Sequence, residues 1–137
     1  MRRDVYFGFL KLLGEEDGRT LTVANNYAWT LEELHRYDEV KTLMRKTLPV
    51  VRRVLGESAE HTLMMRWVYA RALYMNPAAT LDDLREAVSK LEELERTARR
   101  VLGGAHPTTT GVVRSLQEAR AALDARETPS PCQCSVS

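Results

Sequence analysis

Residues 13–56 decide the fold, and they read LGEEDGRTLTVANNYAWTLEELHRYDEVKTLMRKTLPVVRRVLG. Residues 55–103 repeat the outline of this stretch and read LGESAEHTLMMRWVYARALYMNPAATLDDLREAVSKLEELERTARRVLG. Both stretches begin with Leu-Gly, carry Thr-Leu and Tyr-Ala at similar offsets, and end with Val-Leu-Gly. Because Gly14, Gly56 and Gly103 recur at intervals of 42 and 47 positions, we interpret the chain as a repeat array.

Apolar residues recur every three or four positions along most of the chain, which is the spacing of amphipathic helices. This spacing predicts helices over about 2–13, 20–35, 38–55, 59–75, 81–102 and 108–126. The three recurring glycines are expected to end helices, since glycine adopts the left-handed conformation at little steric cost. No segment alternates apolar and polar residues over several positions, so no strand is predicted.

Capping residues and a proline indicate where individual helices begin or bend. Ser58 is predicted to cap the fourth helix, and Thr80, which is followed by two aspartates, is predicted to cap the fifth. Pro49 falls inside the third helix and predicts a kink, because proline lacks an N–H and clashes with the preceding turn. The apolar stripe of the first helix consists of Val5, Tyr6, Phe9, Leu10 and Leu13.

The composition limits the classes of partner. Lys and Arg total 20 against 19 for Asp and Glu, so the net charge is +1 and gives no reason to expect nucleic acid or an acidic lipid surface. No apolar run approaches the ~18 residues of a membrane span, so no membrane insertion is predicted. Lys11 interrupts the apolar run near the start and no small-residue cleavage site follows, which disfavours a signal peptide.

The only two cysteines, Cys132 and Cys134, lie in the last six residues. They do not form a disulfide framework and indicate a reducing compartment, so a cytoplasmic location is predicted. Two thiols are fewer than the four ligands of a structural zinc site. The segment 128–137 is polar and interrupted by proline, so we expect a disordered tail and not a metal site.

Several spaced elements of the two units point to one family. The first unit contains Leu13-Gly14, Asn25-Asn26-Tyr27-Ala28 and Tyr37-Asp38-Glu39-Val40. The second contains Leu55-Gly56, His61-Thr62-Leu63, Tyr69-Ala70 and Leu84-Arg85-Glu86-Ala87, and a third start appears at Leu102-Gly103 and His106-Pro107. Together these elements resemble tetratricopeptide repeats, particularly the longer variety found in kinesin light chains.

The resemblance implies an all-α fold, namely a tetratricopeptide-like right-handed α-solenoid of antiparallel helix pairs with about two and a half repeats. The chain would then consist of a half-repeat helix (1–14), a first repeat (15–56), a second repeat with a five-residue insertion (57–103), a C-terminal capping helix (104–127) and the tail (128–137). Stacked pairs of this kind curve and leave a concave groove lined by the first helix of each pair.

Side chains that are not needed for packing on the groove helices are the candidate binding residues. They are Asn25, Trp29, Glu32, Met64, Trp67, Arg71, Tyr74 and Arg114. Trp, Tyr and Arg commonly anchor interfaces, and an asparagine amide can both donate to and accept from an extended peptide backbone. We therefore predict a protein-interaction scaffold or adaptor whose partner is a protein or peptide.

Alternatives stay open at this point. Trp67 lies on the apolar stripe of its helix and also fits a core position, while Asn25 also fits a hydrogen bond between neighbouring repeats. The first helix looks like the second half of a repeat, and Phe7 on its outer side has no partner there. Either residues 2–13 pair with another copy in a structural homo-oligomer, or the chain is a fragment of a larger repeat protein.

Catalysis is not predicted. The three histidines are far apart in the sequence, and no nucleophile, metal-spaced cluster or glycine-rich phosphate loop accompanies them. We therefore expect no enzyme activity, no catalytic or metal-binding residues and no cofactor.

Overall fold

A computed structural model describes residues 2–14 and 17–127, and all regular secondary structure in this part of the chain is α-helical. The predicted all-α class is confirmed. The helices are α1 (Arg2–Leu13), α2 (Gly18–Glu33), α3 (Tyr37–Leu55), α4 (Glu60–Met75), α5 (Leu81–Leu102) and α6 (Pro107–Glu127). The predicted tail and the cysteine pair within it lie outside the described residues.

The helix ends follow from local chemistry. Thr80 caps α5 as predicted, in a capping box in which its hydroxyl accepts from the Asp83 N–H and the Asp83 carboxylate accepts from the Thr80 N–H. The predicted cap at Ser58 is wrong, because α4 begins one residue later, after Ala59, which makes no side-chain cap bond. α3 continues through Pro49, so the proline does not end the helix and the kink stays a prediction.

The helices pack in two layers. Each helix contacts the one that follows it in the chain, and in addition α2 contacts α4 and α4 contacts α6. No close approach joins α1 to α3 or α3 to α5 in the described part of the chain. We call α2, α4 and α6 the first layer, whose members touch, and α1, α3 and α5 the second layer, whose members are spaced apart.

Two clefts open between the helices of the second layer. One of about 410 Å³ separates α1 from α3, and one of about 180 Å³ separates α3 from α5. The first is closed at its base by Tyr27 of α2, and the second by Arg66 and Tyr69 of α4. The spacing of the second layer therefore leaves two openings with side chains of the first layer at their base.

The core lies between the two layers. Its largest fully buried side chains are Leu21, Leu31, Val40, Met44, Val51, Leu63, Met65, Val68, Leu73, Leu84, Leu91 and Leu94. Fully buried alanines on facing helices, such as Ala28, Ala70 and Ala87, let the backbones approach closely. The apolar stripes predicted from helical spacing therefore form one contiguous core.

The first helix departs from its predicted stripe. Tyr6 is buried, but Val5 and Leu13 are exposed, so their assignment to the packed stripe was wrong. The reason is that α1 contacts only α2 and has one narrow face to bury. Leu12, which is 82% exposed, and the half-exposed Phe7 add further apolar surface to the same helix.

Candidate functional site

The candidate binding residues lie on the first layer, at intervals that place them on one face of each helix. Asn25, Trp29 and Glu32 are four and three positions apart on α2, and Met64, Trp67, Arg71 and Tyr74 are three, four and three positions apart on α4. Because an α-helix repeats every 3.6 residues, each set forms a row along its helix. Arg114 lies on α6.

Two tryptophans, one on α2 and one on α4, meet between these helices. The ring centroids of Trp29 and Trp67 are 5.6 Å apart and the planes are inclined by 82°, an edge-to-face arrangement. The Arg71 guanidinium carbon lies 5.6 Å from the centroid of each ring, within cation–π range of both. The two half-buried indoles and the guanidinium thus hold one another in a fixed geometry.

An ion pair completes this arrangement. Arg71 Nη2 lies 2.8 Å from Glu32 Oε1, and Glu32 is only 7% exposed. Burial raises the pKa of the Glu32 carboxyl above its ordinary value, while the positive charge of Arg71 opposes this shift. We call Trp29, Glu32, Trp67 and Arg71 the tryptophan cluster.

Hydrogen bonds extend the tryptophan cluster to α6. The Trp67 indole N–H donates to Ser115 Oγ over 2.9 Å, and the Tyr74 hydroxyl donates to Glu118 Oε1 over 2.6 Å. Burial, together with the bond to Glu118, raises the pKa of the Tyr74 hydroxyl, which therefore stays a donor. The face consequently runs continuously across α2, α4 and α6.

Gly111 on α6 makes this continuity sterically feasible. A Cβ at this position would lie 2.5 Å from Cη2 of the Trp67 indole, which is too close for any real contact. The absence of a side chain lets α6 approach the flat face of the ring. The prediction missed Gly111 and Ser115, although a glycine inside a helical pattern is a recognised sign of close packing.

Several buried polar atoms on this face have no hydrogen-bond partner among the described residues. They are Asn25 Oδ1, Glu32 Oε2 and Arg71 Nε, and Asn25 is only 4% exposed. A buried polar atom without a partner costs about 1–3 kcal/mol. Two acceptors and one donor on this face are therefore left unsatisfied by the described residues.

Two predicted residues take no part in this network. Met64 is half-buried and Arg114 is exposed, and neither makes a hydrogen bond or ring contact within the described part of the chain. The structure therefore joins five of the eight candidates through ring contacts, an ion pair and hydrogen bonds, namely Trp29, Glu32, Trp67, Arg71 and Tyr74. It places Asn25 one helical turn before Trp29 on α2.

Two further observations concern the described residues as a whole. They contain no group of three or more His, Cys, Asp and Glu side chains placed to hold a metal ion. None of the helices formed by residues 2–14 and 17–127 combines the length and the apolar character needed to cross a membrane.

Comparisons with known proteins add no assignment, since the chain matches no protein-family model and no curated protein significantly. A function therefore has to be argued from the geometry of the molecule.

Proposed function

We propose that this chain is a protein-interaction module built from tetratricopeptide-like helix pairs, which binds an extended peptide across α2, α4 and α6. In this proposal the chain is a right-handed solenoid of about two and a half repeats, divided as the sequence predicts. The contacts within the first layer and the gaps within the second support it, because stacked helix pairs that curve bring the helices on their concave side closest together.

The observation that carries the proposal is the set of unpartnered polar atoms beside the tryptophans. Asn25 Oδ1 and Glu32 Oε2 accept hydrogen bonds, and Arg71 Nε donates one. An extended peptide backbone presents N–H and C=O groups alternately, and these match both kinds of atom. These atoms are covered by neighbouring side chains, so a peptide that lies along this face would reach and satisfy them only when those side chains shift.

The indoles would provide most of the apolar contact. Trp29 and Trp67 are only half-buried, and aromatic anchors of this kind dominate interface energies. Their mutual contact and the Arg71 guanidinium fix them before a partner arrives, which reduces the entropy lost on binding. The module is therefore expected to bind with shifts of side chains and little movement of its backbone.

A peptide-display selection followed by calorimetry tests this proposal. Peptides selected on the whole chain are titrated into the wild type, into Asn25→Ala and into a matched control, Asn26→Ala, whose side chain is exposed at the next position of α2. We expect at least tenfold weaker binding to Asn25→Ala and unchanged binding to Asn26→Ala. Equal binding to all three proteins would contradict the proposal.

A second candidate function, self-assembly, rests on the apolar surface of α1. Val5, Phe7 and Leu12 are exposed on a helix that contacts only α2. Exposed apolar surface of this kind indicates an interaction site. Light scattering over a concentration series would show a mass increase that Leu12→Glu abolishes and Lys11→Gln leaves unchanged, whereas a monomer at every concentration would exclude self-assembly.

A further inference from the structure

Four of the nine side chains that line the cleft between α3 and α5 are basic. It has a volume of about 180 Å³, and its cations come from three helices: Arg45 and Arg52 from α3, Arg66 from α4 and Lys90 from α5. Its apolar walls are Met44, Leu48 and Pro49, and Glu93 is the acidic residue among those that line it. We call this opening the basic cleft.

Arg66 is the most buried of these cations, and nearby carboxylates balance its positive charge only weakly. It is 9% exposed, and its Nη1 lies 3.8 Å from Glu57 Oε2, at the limit of an ion pair. Glu57 itself is 63% exposed and therefore largely solvated. Burial lowers the pKa of the Arg66 guanidinium, and the neighbouring positive charge of Arg52 lowers it further, against the opposing effects of Glu57 and Glu93.

Arg52 carries an unused hydrogen-bond donor. Its buried Nε lies 3.3 Å from Glu57 Oε1, but the geometry does not make a hydrogen bond and the N–H has no partner among the described residues. Glu57 thus stands near two guanidinium groups and satisfies neither of them fully. The Nε itself is covered, but the Arg52 side chain is 39% exposed, so an acceptor from outside the chain would meet its terminal N–H groups.

The other two cations are also only partly engaged. Arg45 donates from Nε to the Tyr69 hydroxyl over 3.4 Å, and Tyr69 in turn donates to Glu86 Oε2 over 3.2 Å. Lys90 Nζ lies 3.8 Å from the same Glu86 oxygen. The Glu86 carboxylate therefore accepts a hydrogen bond from Tyr69 and also forms an ion pair with Lys90. The terminal N–H groups of Arg45 make no hydrogen bond within the described part of the chain.

We infer that the basic cleft binds a phosphate group, which would accept hydrogen bonds from Arg45, Arg52 and Arg66 together. A guanidinium presents its N–H donors as a planar fork that matches two phosphate oxygens. Forks that approach from α3 and α4 can engage different oxygens of one tetrahedral anion, whereas a planar carboxylate has only two oxygens to offer. Small-molecule pockets typically measure about 300–1,000 Å³. The basic cleft is smaller, so a phosphate group fits it better than a whole nucleotide.

The test is a titration of the whole chain with inorganic phosphate, measured by calorimetry and by the melting temperature at constant ionic strength. Phosphate also stabilises proteins by exclusion from their surface, so the comparison between variants is decisive. Arg52→Gln removes one of the three guanidinium groups, and Arg120→Gln is the matched control, an exposed arginine on α6, a helix that does not contact α3. We expect at least tenfold weaker phosphate binding to Arg52→Gln and unchanged binding to Arg120→Gln.

A second variant, Arg66→Met, removes the buried charge. It is expected to fold, because an apolar side chain of similar length replaces an incompletely paired guanidinium. Should it fail to fold, Arg45→Gln at an exposed position provides the same test. Equal melting shifts in the wild type, Arg52→Gln and Arg120→Gln, with no heat of binding, would overturn the inference.

O-phosphoserine in parallel titrations distinguishes the source of the phosphate. Tighter binding of O-phosphoserine than of inorganic phosphate supports a phosphorylated side chain as the ligand, and the reverse order supports the free ion. This site does not depend on the proposed peptide groove, so the Asn25→Ala variant should bind phosphate as the wild type does.

Discussion

At the scale of single residues, the pair formed by Glu32 and Arg71 decides whether the tryptophan cluster is stable. Removing one partner of a buried ion pair is more harmful than its net contribution suggests, because the other charge is left uncompensated. Since Arg71 is a quarter exposed, we expect Arg71→Met to lower the free energy of unfolding by about 3 kcal/mol at pH 7, near the low end of such losses. Urea unfolding monitored by circular dichroism measures this loss.

The pH dependence of this loss identifies its cause. Burial in the folded protein raises the pKa of Glu32 above its ordinary value of 4.5. The folded state therefore holds this proton more tightly than the unfolded state does, and the free energy of unfolding falls as the pH rises through the folded-state pKa. Without Arg71 this pKa rises further, so the deficit of Arg71→Met should shrink between pH 7 and pH 5. Adding Glu32→Gln should remove the pH dependence, and a deficit that stays constant across this range would exclude a charge effect.

Residue spacing accounts for the part of this site that the sequence predicts. Trp29 and Glu32 share a face of α2, and Trp67 and Arg71 share a face of α4, because intervals of three and four follow the helical period. Ser115 could not be predicted, since its role depends on where α6 lies against the Trp67 indole. Local periodicity carries no information on that register.

At the scale of the helices, the caps of α4 and α5 provide a matched pair of substitutions. Thr80→Ala removes the capping box of α5 and is expected to lower the free energy of unfolding by about 1 kcal/mol. Ser58→Ala removes a similar hydroxyl that caps no helix and should change stability by less than about 0.5 kcal/mol. Equal losses in chemical denaturation would show that Ser58 caps α4 after all.

The approach of α6 to α4 is tested by two glycines that lie inside helices. Gly111→Ala places a methyl group against the Trp67 indole and is expected to destabilise the protein by about 1–3 kcal/mol. Gly8→Ala on α1 meets open space and should stabilise it by about 0.5–1 kcal/mol through helix propensity. Thermal unfolding of both variants provides the comparison, and a stabilising Gly111→Ala would contradict the close packing.

The sequence predicted the six helices of the described residues from intervals of three and four between apolar residues, a pattern that is pronounced in α3 and α5 and weak in α4 and α6. It was wrong about Val5 and Leu13, since a stripe shows which face can be buried but not how much of it a neighbour covers. The basic cleft could not be predicted, because Arg45, Arg66 and Lys90 belong to three different helices. Only the spacing between α3 and α5 brings them together.

At the scale of the whole molecule, the two ends are held unequally. α1 contacts one helix, whereas α6 contacts both α4 and α5. Segments with few packing partners open at the lowest free energy, so the amides of α1 should exchange before those of α6 and well before those of α4. Hydrogen–deuterium exchange read by mass spectrometry measures this order, and equal protection of α1 and α6 would contradict it.

The unequal spacing of the two layers also has a mechanical consequence. The helices of the first layer touch, so moving them apart breaks contacts such as that between Trp29 and Trp67. The first layer is therefore expected to stay fixed while the second layer moves. Motion that widens or narrows the clefts of the second layer breaks no such contacts. The motion of lowest energy is therefore a bend about the first layer, and any group bound in a cleft sets the angle between the two helices of the second layer that form it.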